Sequence, residues 1–433
     1  MRFRKLCIIG LGYIGLPTAS TFATHGIQVT GVDVDPAVVE SLQNGKMHIH
    51  EPGLQTIVQA AIKSGNLKIQ PEPEEADAFI IAVQTPFFKD DKRADMRYVI
   101  SATESIIPFL KSGDLVILES TSPPRTTVDL VVPILERSGL KAGVDFHLAY
   151  SPERVLPGQI LRELIENARV IGGIDQASAE AGRQLYEIFV RAEIILTDAT
   201  TAEMVKLMEN TYRDINIAVA NEFSRLTDRL GVDVWEAIEI ANRHPRVNIL
   251  KPGPGVGGHC VSVDPWFLVE SAPDLASLIH AGRLVNDTQP KFVVELIRRA
   301  AGGDLKNKRI AALGLSYKAN VDDFRESPAL EVVRLLTNEG ALLKCFDPNA
   351  ARPVIQGFKV FPTLEDSIRD TDILLLLVDH SEFSALKPDE IRDHTTANII
   401  IDTVNKWNDQ SWLDAGFQVY RLGVGNHESS NER

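Results

Sequence analysis

The chain has 433 residues, 44% of them apolar and 24% charged, an ordinary balance for a soluble globular fold and enough for about two to four domains. A formal net charge of -14 argues against nucleic acid and anionic membrane as partners, but leaves room for an anionic small ligand at a local basic cluster. Three cysteines, Cys7, Cys260 and Cys345, are too scattered for a disulfide framework and show no metal-ligand spacing, so a cytoplasmic setting without bound metal is expected.

Arg2, Arg4 and Lys5 ahead of an apolar run over 6–16 have the layout of a secretion signal, but that run holds glycines the following residues need. Residues 5–10 read as a buried strand, 10–15 as a tight turn, 14–25 as a helix ended by Gly26, and 27–32 as a strand closing on Asp33. In that setting Gly10, Gly12 and Gly15 form a dinucleotide-binding fingerprint: they permit the turn and let backbone approach a pyrophosphate at the helix N-terminus. Asp33 is placed to take ribose hydroxyls and repels a 2'-phosphate, which favours NAD over NADP.

The strands expected over 78–83, 115–118 and 146–150 run into polar segments, and ligands of open parallel sheets lie beyond such strand ends. Thr85 and Thr121 there serve either turn chemistry or cofactor contact. Glu153 and Arg154 sit at the mouth of the same crevice and point to substrate.

Thr200 and Glu203 have capping-box spacing, and the helical pattern then continues to Gly231. About thirty residues at 1.5 Å each make a helix of about 45 Å, long enough to span a domain. Leu207, Ile215, Phe223, Leu226 and Leu230 form an apolar stripe for core or subunit interface, while Lys206, Asn210 and Arg213 share a face assigned to substrate. A helix over 235–241 leads to His244, Arg246 and Lys251, the start of a basic cluster. Gly253, Gly255, Gly257 and Gly258 then crowd a loop in a way that suggests close approach to a ligand. Cys260 follows, with Asp264 four residues later; one helical turn would present thiol and carboxylate on one face, a nucleophile with a proton-handling partner.

A helix over 291–301 and a linker at Gly302, Gly303 and Asp304 precede a second strand–helix–strand unit over 308–314, 327–339 and 342–346, closing on Asp347. Between strand and helix, Tyr317, Lys318 and Arg325 replace the glycine cradle, implying a second anionic or nucleotide ligand. Strands over 373–378 and 399–401 complete this sheet, and the tail 426–433 reads as disordered. The expected fold class is α/β: two Rossmann-like doubly wound domains, 1–197 and 303–433, joined by a long central helix and a helical middle domain, 198–302.

Three segments then carry a resemblance: Ser151, Pro152, Glu153 and Arg154; the loop 253–260 with Asp264; and Tyr317, Lys318 and Arg325 with Ser327 and Pro328. In this order after the fingerprint, they resemble the UDP-glucose/GDP-mannose dehydrogenases over nearly the whole chain, and most closely those acting on UDP-hexosamines. The resemblance implies NAD-dependent, four-electron oxidation of a sugar C6 alcohol to a carboxylate through a thiohemiacetal and a thioester on Cys260. It implies catalytic roles for Lys206, Asn210 and Asp264 in the first oxidation and for Glu153 in thioester hydrolysis. It places cofactor contacts at Tyr13, Ile14, Asp33, Thr85, Thr121 and Arg325. Contacts to the UDP-sugar fall at Arg154, Val155, Lys206, Asn210, Arg213, His244, Arg246, Gly257, Tyr317 and Lys318. Arg246 matches a position that reaches across to a neighbouring subunit, so a homodimer or larger homo-oligomer is implied. The chain departs from the family pattern at Gln84, at Arg125 where glycine is common, and at Val404, where a basic residue is usual and Lys406 stands two residues on. A two-electron dehydrogenase of the same build would not need Cys260, and a nucleotide-sensing module would not need the set Lys206, Asn210, Cys260 and Asp264.

Overall fold

The computed structural model describes residues 2–425 apart from His50 and Asp409. The expected disordered tail, 426–433, lies outside the described residues. The chain divides into two compact units, Met1–Glu209 with Trp266–Leu275, and Asn210–Pro265 with Ala276–Arg433.

The first unit is built on eight strands: β1 Lys5–Ile9, β2 Gln28–Val32, β3 Leu67–Gln70, β4 Ala78–Ile81, β5 Leu115–Leu118, β6 His147–Tyr150, β7 Arg169–Gly173 and β8 Ile194–Asp198. Their spatial order is β3-β2-β1-β4-β5-β6-β7-β8, parallel except where β6 meets β7. The first six follow the dinucleotide-binding order, with the switch point between β1 and β4. Both faces of the sheet are covered, which is why its inner strands are continuously apolar: Leu6 and Ile8 enter one core, Cys7 and Ile9 the other.

The second unit carries β9 Arg309–Leu313, β10 Leu342–Phe346, the short antiparallel pair β11 Val354–Ile355 and β12 Phe358–Lys359, then β13 Ile373–Leu376, β14 Ile399–Asp402 and β15 Gln418–Arg421. Its main sheet is wholly parallel in the order β10-β9-β13-β14-β15. This is the shorter doubly wound order, which matches β2-β1-β4-β5-β6 of the first sheet and has no counterpart of β3, β7 or β8 among the described residues.

The long helix is present as Ala199–Leu230, beginning in the first unit and ending in the second. The capping box at Thr200 and Glu203 is not. Asp198 caps the helix instead, accepting from Thr201 N at 2.9 Å and Thr201 Oγ1 at 2.6 Å. Glu203 turns inward and accepts from Arg125 N, Thr127 N and Thr127 Oγ1, pinning the loop after β5. The helix expected over 291–301 begins far earlier, as Ser277–Ala300 with Pro290 inside it. The proline marks an interior position of a helix held by packing, where sequence alone suggests a start.

Candidate active site

In the first unit, Gly10 adopts φ 94°, and a side chain there would run into the Ala82 carbonyl across the switch point. A side chain at Gly15 would meet the Gly10 carbonyl, whereas one at Gly12 would meet nothing within 4 Å. Two fingerprint glycines therefore close the turn and the third keeps its outer side open, the division of labour a bound pyrophosphate requires. Asp33, half-buried beyond β2, accepts from Leu11 N at 3.0 Å and Asp35 N at 3.0 Å, which fixes its carboxylate beside the glycine turn. Tyr13, Ile14, Thr85 and Thr121 are all partly exposed around these strand ends. The chain fits an NAD at this site.

In the second unit, the expected turn after the thiol is formed. The Cys260 carbonyl accepts from Val263 N at 2.9 Å and Asp264 N at 2.8 Å, and the helix Asp264–Ser271 starts there. Asp264 is buried and accepts from Asn210 Nδ2 at 2.5 Å. Cys260 is half-buried and in no disulfide, whereas Cys7 and Cys345 are buried in strands, where desolvation pushes each thiol up to about 12. Only Cys260 among the three is placed to react.

The glycines of this loop serve mainly internal contacts. Side chains at Gly257 and Gly258 would collide with Tyr317, Glu326 and Pro328, and one at Gly255 would crowd Pro328 and the Asn286 carbonyl. Only Gly253 is open, where close approach to a ligand had been expected of all four. Gly258 N donates to the Arg325 carbonyl at 3.1 Å, so the cysteine loop and the loop carrying Tyr317, Lys318 and Arg325 are packed together. Arg325 pairs with Asp323 at 2.6 Å and lies 3.2 Å from His259 Nδ1, one residue before the thiol.

Beside these loops the second unit has a cavity of about 1260 Å³, lined by Arg213, Lys251, Gly253, Tyr317, Lys318 and Lys406 among others. Among the described residues Arg213, Lys251 and Lys318 form no ion pair, so their charge is available to an anion. Arg421, also in the lining, is occupied by Asp233 at 2.6 Å. His244 and Arg246 are exposed in the loop after the helix Val234–Ala241 and do not line this cavity.

The chain matches the NAD binding domain of the UDP-glucose/GDP-mannose dehydrogenase family over residues 4–190, its central domain over 200–288 and its UDP binding domain over 311–409. The chain belongs to this family. It is 49% identical over 427 residues to a UDP-N-acetyl-D-mannosamine dehydrogenase of Methanocaldococcus jannaschii, covering 98% of this chain and 97% of that one. It is 46% identical over 416 residues to an NDP-N-acetyl-D-galactosaminuronic acid dehydrogenase of Ralstonia solanacearum, covering 94% and 97%. The solved UDP-D-ManNAc dehydrogenase of Pyrococcus horikoshii superposes with a TM-score of 0.91 at 40% identity, over 97% of this chain and 99% of that one.

Where this family member departs from the common pattern, the structure gives reasons. Arg125 has φ 73°, a left-handed conformation easy for glycine and strained for arginine. It is held there by its N–H on Glu203 and by its guanidinium on Asp129 at 2.6 Å. Val404 and Lys406 share the cavity wall, so the lysine supplies a cation where the valine does not. Lys406 lies 3.6 Å from Asp379.

Several structural partners of the site were not anticipated. Arg169, at the start of β7, donates to Glu153 at 2.5 Å, Ser151 Oγ at 2.9 Å and Glu119 at 3.2 Å. Glu51 accepts from Gly158 N and Ile160 N, anchoring the loop that bears Glu153, Arg154 and Val155. Arg154 itself pairs with Glu209 of the long helix at 2.7 Å. Asn221, on the same helix, accepts from Gly253 N at 3.0 Å and so tethers the glycine loop. Asp347 is buried at the position that Asp33 holds in the first unit, and accepts from Leu315 N, Ser316 N and His380. Its carboxylate is engaged by these internal donors. Arg169, Glu51, Glu209 and Asn221 stand in no recognisable spacing; each is found only once distant segments are brought together.

Proposed function

We propose that the chain oxidises the C6 alcohol of UDP-N-acetyl-D-mannosamine to the carboxylate of UDP-N-acetyl-D-mannosaminuronate, reducing two NAD per sugar. The observation that carries this reading is the half-buried thiol of Cys260, in no disulfide, one turn before a buried carboxylate, Asp264, held by Asn210. A two-electron oxidation needs no such thiol.

Bound NAD supplies a hydride acceptor, held by Gly10, Gly12, Tyr13, Ile14, Gly15, Asp33, Thr85, Thr121 and Arg325. In the first oxidation the C6 hydroxyl proton passes to one base, Lys206 or Asp264, as hydride departs, and Asn210 fixes the carboxylate. Cys260 adds to the aldehyde, its S–H proton passing to the new hydroxyl, and keeps the carbon on the enzyme as a thiohemiacetal. Loss of a second hydride and of the hydroxyl proton leaves a thioester. Glu153 takes a proton from water as it attacks, and the C–S bond breaks to release carboxylate and thiol. Arg213, Tyr317 and Lys318 receive the diphosphate and nucleoside, with Arg154, Val155, His244, Arg246 and Gly257 as further contacts.

Tyr212, Val219, Phe223, Leu226 and Leu230 recur along the long helix at steps of seven, four, three and four, and all are exposed. The last three are 38%, 48% and 72% exposed, so they are not the core that the sequence allowed. Such a stripe supports a homodimer through this helix, with exposed Arg246 free to reach a partner's site. No described helix is long and apolar enough to cross a membrane, and we place the reaction in the cytoplasm.

The test is stoichiometry. UDP-N-acetyl-D-mannosamine, UDP-N-acetyl-D-glucosamine, UDP-N-acetyl-D-galactosamine, UDP-glucose and GDP-mannose are offered in turn, and NADH and acid product are counted. Two NADH per molecule of the first substrate is the expected result. One NADH per sugar, or preference for another sugar, overturns the scheme or its specificity. Cys260→Ser is expected to abolish acid formation.

A further inference from the structure

Arg169, Glu119, Glu153 and Tyr186 form a buried charged group at the carboxyl ends of β5 and β6. The side chains of Arg169 and Glu119 are 4% and 0% exposed, and that of Glu153 is 9% exposed. One guanidinium edge donates to Glu153 Oε2; the other reaches Glu119 Oε1 and Ser151 Oγ. The Tyr186 hydroxyl donates to the same Glu119 oxygen, and its ring lies 4.0 Å beneath the guanidinium. Glu119 Oε2 is buried without a hydrogen-bond partner among the described residues.

A buried cation with two carboxylates leaves one negative charge uncompensated if both acids ionise, which low-polarity surroundings oppose. Burial pushes Glu119 up to about 7 against the pull of Arg169, so below neutrality it is the acid that carries the proton. The guanidinium is then committed to Glu153. A planar fork clamped between a tyrosine ring and two acids also has no rotational freedom, and transmits that rigidity to the Glu153 carboxylate.

We propose that Arg169 is the positioning residue of Glu153: it fixes the orientation of that carboxylate for the hydrolytic half of the reaction. Glu119 and Tyr186 lock the guanidinium from behind. Arg169 touches no reacting atom in this scheme and acts only through Glu153. The proposal rests on the thioester reading above, and the two fail separately: that reading stands or falls on NADH stoichiometry in the unaltered enzyme, this one on how Arg169 variants divide their effect between steps.

The experiment is rapid-mixing kinetics on the full-length enzyme with NAD and UDP-N-acetyl-D-mannosamine. Arg169→Lys keeps the charge and loses the fork; Arg169→Gln loses both. Both are expected to retain NADH formation in the first turnover and to slow steady-state turnover, the glutamine variant by about a hundredfold and the lysine variant by about tenfold, as removal of a positioned proton acceptor does. A sugar adduct on Cys260 should accumulate, visible by mass spectrometry, and the KM for NAD should stay within about twofold. Equal slowing of first and later turnovers, or no slowing, overturns the proposal. A double-mutant cycle covers a misfolded glutamine variant: in a Glu153→Gln background, Arg169→Lys should add no further loss in turnover, and a full additive loss contradicts action through Glu153.

Discussion

Asn210 and Asp264 are joined by a hydrogen bond of 2.5 Å across 54 residues of sequence, the amide on the long helix and the carboxylate at the start of the helix that follows the cysteine loop. Asp264→Asn keeps the shape of the pair and removes the proton acceptor. It should lower kcat by about 10²- to 10⁴-fold, the usual range for losing a general base, while the KM for UDP-sugar moves only a few-fold. Steady-state NADH production reads both. A large rise in KM with kcat preserved would make the carboxylate a binding group.

The outline of this site was legible because its parts are local. Glycine spacing, the strand ends before Asp33 and Asp347, and the four-residue step from Cys260 to Asp264 are properties of short segments, and the structure realises each. What sequence could not give is the set of partners set by sheet order. Arg169 meets Glu119 and Glu153 only because β7 turns back antiparallel beside β6, and β7, β8 and β15 lack the long apolar runs that announce β1, β4 and β5. Glu203 had the spacing of a helix cap, yet three donors of the 125–127 loop outcompeted the helix end. The same limit applies to the glycines after residue 253, whose tight packing is dictated by Tyr317 and Pro328.

Lys318 lines the large cavity and forms no ion pair among the described residues. Lys318→Ala should raise the KM for UDP-sugar by about tenfold, consistent with loss of one charge-assisted contact of about 1.5 kcal/mol, and leave the KM for NAD unchanged. The effect should shrink at high salt, because screening already weakens the contact. Equal changes in both KM values would place this lysine outside the diphosphate site.

His380 shows its tautomer by its neighbours. Asn320 N and Asn349 Nδ2 each lie 3.0 Å from Nδ1 and are donors, so Nδ1 accepts and Nε2 carries the proton that goes to Asp347 at 3.1 Å. His380→Gln can still donate to Asp347 but leaves the Asn320 amide unpaired, two residues from Lys318. That hydrogen bond is only part-buried, so losing it costs about 1 kcal/mol, and the loop it anchors should loosen. Thermal unfolding should shift down, and the KM for UDP-sugar should rise with kcat at saturation largely kept. An unchanged KM would separate this histidine from substrate binding.

Glu119 makes stability depend on pH with a sign opposite to that of an ordinary salt-bridged acid. Its carboxyl is raised from an ordinary 4.5 to about 7 by burial, so the folded state binds a proton that the unfolded chain has already released. Between these values the folded state holds more protons, and stability must fall as pH rises through the window; below it the penalty is absent, above it complete. Asp114, raised to about 6 chiefly by burial, adds in the same direction, whereas Glu180, lowered to about 2 by Arg183, acts only at more acid pH. Glu119→Gln keeps the acceptor oxygen for Tyr186 and Arg169 and cannot ionise. Relative to the unaltered protein, it should gain in unfolding temperature between pH 5 and pH 8 by on the order of a few °C, measured as the difference between the two proteins at each pH. Parallel curves for the two proteins across that range would show that the raised Glu119 carboxyl is not what makes stability depend on pH there.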